Sequence, residues 1–197
     1  IIKDNTTVMA CSYLEGPLVI DNDCLIKAGS KIYGGTSIGP GCKIGGEVTE
    51  SIFQGRSNKQ HDGFIGHAYM GEWVNLGAGT NNSDLKNNYT TVTVNVNGNV
   101  IDSGSLFAGL FMGDHSKSGI NTMFNTGTSI GVGCNVVGAG FPPKNVPSFS
   151  WVVNGKIRNY DYKKFLKTAR IVKERRNLSI SPEEKYLFQA IFNGTDS

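Results

Sequence analysis

From Leu14 onward an apolar residue recurs every six positions: Leu14, Ile20, Ile26, Ile32, Ile38 and Ile44. A second, mostly small column follows four residues behind each of these, in Leu18, Cys24, Ser30, Thr36, Cys42 and Val48. A period of six fits neither a helix nor an alternating strand. It predicts an all-β solenoid of triangular coils, one hexapeptide per face, with branched residues inward and Gly or Asn at the corners. The phase slips after Ile44, returns at Met70 and Leu76, and resumes as Met112, Ser118, Phe124, Ile130 and Val136. Between these runs lie two interruptions, Ser51 to Gly63 and Asn81 to Phe111. The second contains Thr91 to Val96, then Asn97-Gly98, then Asn99 to Ile101, which reads as a hairpin with a type I′ turn. A projecting arm over 81–111 is therefore expected. The pattern ends at Pro142-Pro143 and Pro147, so the solenoid domain is expected over 1–141 and a linker with a helical tail over 142–197. Asp161 to Arg176 places Phe165, Ala169 and Val172 on one helix side. Ser181-Pro182-Glu183-Glu184 supplies an N-cap, a proline at the first helical position and a capping-box acid. Such helices are expected to cover the open end of the coils.

Composition supports this picture. Among 197 residues are 26 Gly and 19 Asn, the types that accept positive φ most cheaply, which disfavours a helical bundle. The net charge of +3 is too small to imply nucleic acid, and nine of the 19 basic residues fall between Lys156 and Arg176. No apolar stretch approaches a membrane span. Of four cysteines, Cys24, Cys42 and Cys134 fall in the small column, and Cys11 does not. They show no metal-like spacing, which points to reduced thiols and a cytoplasmic protein. The chain begins at Ile1 without an initiator Met, so it reads as part of a longer protein.

His61-Asp62-Gly63-Phe64-Ile65-Gly66, followed by Asn75-Leu76-Gly77-Ala78-Gly79-Thr80, carries a specific resemblance. Over roughly residues 14 to 141 the chain resembles the acetyltransferase half of the bifunctional glucosamine-1-phosphate acetyltransferase / N-acetylglucosamine-1-phosphate uridyltransferase family, and the sugar nucleotidyltransferases related to it. The resemblance implies a left-handed parallel β-helix, although the crossover rule for parallel strands favours the other hand. It implies acetyl-CoA as co-substrate, an amino-sugar phosphate or nucleotide sugar as acceptor, and a homotrimer with sites between subunits. An N-terminal nucleotidyltransferase domain is then expected outside this chain.

By that resemblance His61 is the general base that takes a proton from the sugar amine, a role that suits imidazole. Without it, His61 reads first as a polar-loop residue that hydrogen-bonds locally. Glu47, Asn75 and Asp84 fall at substrate-binding positions. Phe64 stands where the family has a tyrosine, and Thr49 where it has a phosphate-binding lysine. Asp84 replaces an asparagine, and Lys86 or a lysine of a neighbouring chain is a candidate cation beside it. Ile120 and Gly138, eighteen residues apart, match positions whose backbone meets the CoA arm. The asparagine run Asn81, Asn82, Asn87 and Asn88 suits sugar hydroxyls or turns alike. The basic tail suits a solvated helix face, CoA phosphates or a partner protein. No metal is expected, because His61, His67 and His115 lack the tight pair that a three-histidine site needs. The altered Phe64 and Thr49 keep a second reading open, in which the solenoid is a catalytically inactive trimerisation module of a sugar-1-phosphate nucleotidyltransferase.

Overall fold

The computed structural model describes residues 1–194. The hexapeptides form strands of two to four residues wound into a three-sided parallel solenoid. The first face runs through Leu18–Ile20, Thr36–Ile38, Ile52–Gly55, Tyr69–Glu72, Leu110–Met112, Thr128–Ile130 and Asn145–Val146. The second takes Thr7–Val8, Leu25–Ile26, Lys43–Ile44 and Asn58–Lys59, crosses a bridge at Asn75, and continues through Lys117–Ser118, Asn135–Val137 and Ser150–Val153. The third holds Tyr13–Leu14, Lys31–Ile32, Glu47–Thr49 and Phe64–Gly66. Asn81 and Asn82 extend it with their side chains, which accept hydrogen bonds from the Phe64 and Gly66 N–H groups at 2.8 and 3.0 Å.

Both predicted columns point inward. Ile20, Ile26, Ile32 and Ile44 are fully buried, and Cys24, Cys42, Ser30 and Thr36 pack beside them. Each such isoleucine contributes about 1.5–3 kcal/mol by burial. Burial pushes the Cys42 thiol up to about 12 and the Cys134 thiol up to about 11, so these sulfurs are core atoms rather than nucleophiles.

The phase slip after Ile44 is a change of coil length. Ile20 pairs with Ile38 at the regular spacing of eighteen, but Ile32 pairs with Val48 and Ile44 with Lys59. The expected interruption at Ser51 to Gly63 is thus a shortened coil and not a loop. Its polar inward residues, Ser57 and Lys59, disguise it.

Three other expectations are corrected. The coils continue past residue 141, since Asn145–Val146 and Ser150–Val153 add parallel strands at a spacing of sixteen. The prolines break the hexapeptide text without breaking the coil, because they sit between strands, where no ladder N–H is required. Lys156–Asn159 then turns back antiparallel on Ser150–Val153 and closes the end of the second sheet. The helices are therefore free to lie along the side of the solenoid instead of over its end. Helix α1, Tyr162–Glu174, and helix α2, Pro182–Gly194, pack on the corner between the first and second faces. Trp73, His115 and Phe149 all take left-handed backbone there, with φ of 61°, 59° and 55°. Their rings receive the tail: His115 meets Phe165 and Phe188 edge-on, and Phe149 meets Phe165 and Phe192. Arg176 reaches further back along the coils to the Gly41 carbonyl and the Asn58 side chain, both at 3.2 Å. On α1 the buried residues are Phe165, Ala169 and Lys173, with Val172 only partly covered.

The arm is narrower than 81–111. Asn81, Asn82 and Leu110 belong to coil strands, and Leu110 is fully buried in the core. The excursion carries the expected hairpin, Thr93–Val96 against Asn99–Asp102, with left-handed Asn97 and Gly98 at its turn. Its first strand rests on the chain's own coil. Val92 is fully buried, and the Thr93 carbonyl lies 2.3 Å from where a Cβ on Gly127 would stand. The outer strand leaves Val100 and Ile101 74% and 46% exposed.

Candidate functional site

Strand register decides which sequence candidates meet. Asn58, Asn75, Lys117, Asn135 and Trp151 are aligned partners on successive coils. Three residues beyond each, at the corner between the second and third faces, stand His61, Ala78, Ile120, Gly138 and Asn154. The expected base and the two expected cofactor positions thus share one corner, separated by inter-strand steps of about 4.8 Å. His61 is exposed there, and Ile120 is 71% exposed. Gly138 takes φ 115°, and an added Cβ would strike Asn154, so the coil at this point requires glycine. Such a corner offers an extended ligand backbone beside the small Ala78 and Gly138, with the exposed Ile120 side chain standing between them.

Beside this corner the third face forms a cleft of about 340 Å³, lined by Gly29, Lys31, Gly46, Glu47, Asp62, Gly63, Phe64 and Asn81. Glu47 and Phe64 are register partners, and Asn81 follows on the next coil. The spacing is seventeen at each step, the local coil length. Lys31 approaches Glu47 at 3.8 Å, an exposed pair of small energetic value. The Asn81 side chain is held by bonds to the Phe64 N–H and the Gly79 carbonyl, both 2.8 Å. Asn75 lies on the adjoining second face, one coil on from Asn58.

Asp84 and Lys86 are placed elsewhere. Asp84 lies at the opposite corner of the third face, where its carboxylate meets His67 Nδ1 at 2.8 Å. The other ring nitrogen of His67 meets Glu50 at 3.0 Å, and Phe107 stacks on the ring at 4.8 Å. Lys86 turns into the arm and donates to the Thr91 carbonyl, away from Asp84. The side chain that meets Asp84 is therefore His67 and not the expected Lys86. Glu50, His67 and Asp84 are each seventeen apart, so coil length was the signal for this cluster once the shortened coil is recognised.

Beneath His61 is a residue that sequence reasoning missed. Lys59 is 2% exposed and donates 2.8 Å hydrogen bonds to the carbonyls of Gly45 and His61. Among the described residues no cluster of three or more His, Cys, Asp or Glu is arranged to hold a metal, and no helix is long and apolar enough to cross a membrane.

Residues 17–49 match the bacterial transferase hexapeptide (six repeats) family. The chain is 35% identical over 150 residues to a bifunctional sugar-1-phosphate nucleotidylyltransferase/acetyltransferase of Sulfurisphaera tokodaii, covering 66% of this chain and 36% of that protein. It is 29% identical over 154 residues to the bifunctional protein GlmU of Trichodesmium erythraeum, covering 77% of this chain and 29% of that protein. The chain thus spans about a third of the length of these relatives. Among solved structures, a variant of AntD, an N-acyltransferase from Bacillus cereus in complex with dTDP and coenzyme A, aligns with a TM-score of 0.49 at 13% identity. That alignment covers 88% of this chain and 90% of AntD.

Proposed function

We propose that this hexapeptide-repeat chain, homologous to the C-terminal part of bifunctional GlmU-type enzymes, transfers an acyl group from acetyl-CoA to the amine of an amino-sugar phosphate or nucleotide sugar. The observation that carries the reading is the shared corner: His61 stands exposed, in register with Ala78, Ile120 and Gly138, beside the cleft of Glu47, Phe64 and Asn81. In this reading the acceptor sugar occupies the cleft and the acyl-CoA runs along the corner. His61 takes a proton from the amine as its nitrogen attacks the thioester carbonyl. The carbon–sulfur bond then breaks and the CoA thiolate departs. Glu47 supplies a carboxylate for the amine or a hydroxyl, and Asn81 and Asn75 supply amides. Positioning provides most of the acceleration, since a thioester is already activated. A homotrimer gives the corner its second wall.

Phe64, lacking a hydroxyl, and Asp84, committed to His67, favour the second reading, a module that assembles subunits without acylating. Isothermal titration with acetyl-CoA separates the two. The transferase reading expects saturable binding at one site per chain, and heats of dilution alone would leave the assembly module.

A further inference from the structure

Lys59 occupies an inward position that neighbouring coils fill with apolar side chains. Ile44 is its register partner on one side, and Leu76 follows on the other through the Asn58–Asn75 bridge. Its side chain crosses to the corner and ends between two carbonyl oxygens, those of Gly45 and His61, each 2.8 Å away. The path exists because residue 46 is glycine with φ 71°. A Cβ there would lie 2.6 Å from the ammonium and 2.9 Å from the His61 and Gly63 carbonyls. The shortened coil serves the same end, bringing Lys59 over Ile44 and the Gly45-Gly46 turn beneath His61. Burial pulls the ammonium down to about 8, against the opposing pull of Asp62 and Glu47. An apolar residue such as Met would fill this column without desolvating a charge, so the stability of the coil does not account for a lysine.

We propose that Lys59 is a positioning residue for acyl transfer: by gripping the Gly45 and His61 carbonyls it fixes the turn that carries His61 and aims the imidazole over the Glu47–Phe64 cleft. The proposal rests on the reading of His61 as base. It explains why a cation is buried in direct contact with the backbone carbonyl of that residue.

The test uses Lys59→Met and Lys59→Gln in the full chain, with thermal melting, steady-state acyl transfer and the NMR resonances of the His61 ring as readouts. The Met variant is expected to melt no lower than wild type and to keep its KM for acetyl-CoA within about twofold. Its kcat should fall at least tenfold, and the His61 ring signals should move or broaden. Gln retains one donor group and should fall between. Wild-type kcat with unmoved His61 signals in the Met variant overturns the proposal. Should that variant fail to fold, wild-type kcat in the Gln variant overturns it equally. His61→Ala run in parallel keeps the two ideas apart. An unchanged rate there removes the base, while the His61 resonances in the Lys59 variants still report whether the clamp exists.

Discussion

The Lys173 ammonium is gripped by both carboxylate oxygens of Glu184, with Oε2 at 2.6 Å. The same carboxylate accepts from the Ser181 N–H at 2.8 Å, while the Ser181 hydroxyl accepts from the Glu184 N–H at 3.2 Å. One side chain thus completes the capping box of α2 and neutralises a buried cation on α1, which lies 5.5 Å over the Trp73 ring. Glu184→Ala removes both and should destabilise the tail by about 2 kcal/mol. Glu184→Gln retains a capping oxygen and should lose less. Limited proteolysis between the helices, at Asn177 to Ser181, should accelerate in the same order. Equal behaviour of the two variants would show that the capping bond contributes nothing, and a Gln variant as stable as wild type would show the same of the ion pair.

His115 gives the fold a pH dependence. Burial, then the positive charges of Lys117 and Lys173, hold its imidazole down at about 3, against an opposing pull from Glu184. Among the described residues its Nδ1 is buried without a hydrogen-bond partner. The unfolded chain binds this proton near pH 6.5 and the folded chain does not. Between about pH 6.5 and pH 3 the unfolded state therefore holds more protons, and stability contributed at neutral pH is lost as the pH falls. His115→Phe keeps an aromatic ring among Trp73, Phe165 and Phe188 and removes the proton. Urea midpoints at pH 7 and pH 5 should diverge for the wild type and converge for the variant. Equal pH shifts in both proteins would contradict the assignment.

How much could be read from the chain alone differs between core and site. The isoleucine column was legible because an inward residue every six positions has no competing explanation, and Cys24, Cys42 and Cys134 followed from it. The capping box at Ser181 was legible because capping is local chemistry. Lys59 was hidden, since a lysine in a core position reads as the loop that breaks the pattern. The His67 pairing with Glu50 and Asp84 was hidden for a related reason, because it depends on a coil of seventeen and the regular repeat suggests eighteen. The tail's position was also out of reach. Phe165 and Phe188 announce an apolar face, but only left-handed corners at Trp73, His115 and Phe149 show where it docks.

The hairpin bears on assembly. Its inner strand is seated on its own coil through Val92, whereas Val100, Ile101, Leu106 and Phe107 remain substantially exposed. A contact repeated around a closed ring would cover such residues. In the proposed trimer, light scattering should give three times the 21.2 kDa chain mass. Replacing Val100 and Ile101 together with Glu should yield folded monomers that have lost acetyl-CoA binding. A wild-type monomer at micromolar concentration that binds acetyl-CoA would sink the intersubunit site.

In the proposed reaction His61 drives acyl transfer at the corner it shares with Ile120 and Gly138. Release of CoA thiol, followed with acetyl-CoA and a panel of amino-sugar phosphates and amino nucleotide sugars, tests it most directly. With at least one acceptor the wild type should release thiol and form acylated product, and His61→Ala should be slower by roughly 10²–10⁴-fold with nearly unchanged acetyl-CoA affinity. An acceptor acylated equally fast by wild type and His61→Ala would remove His61 from the reaction.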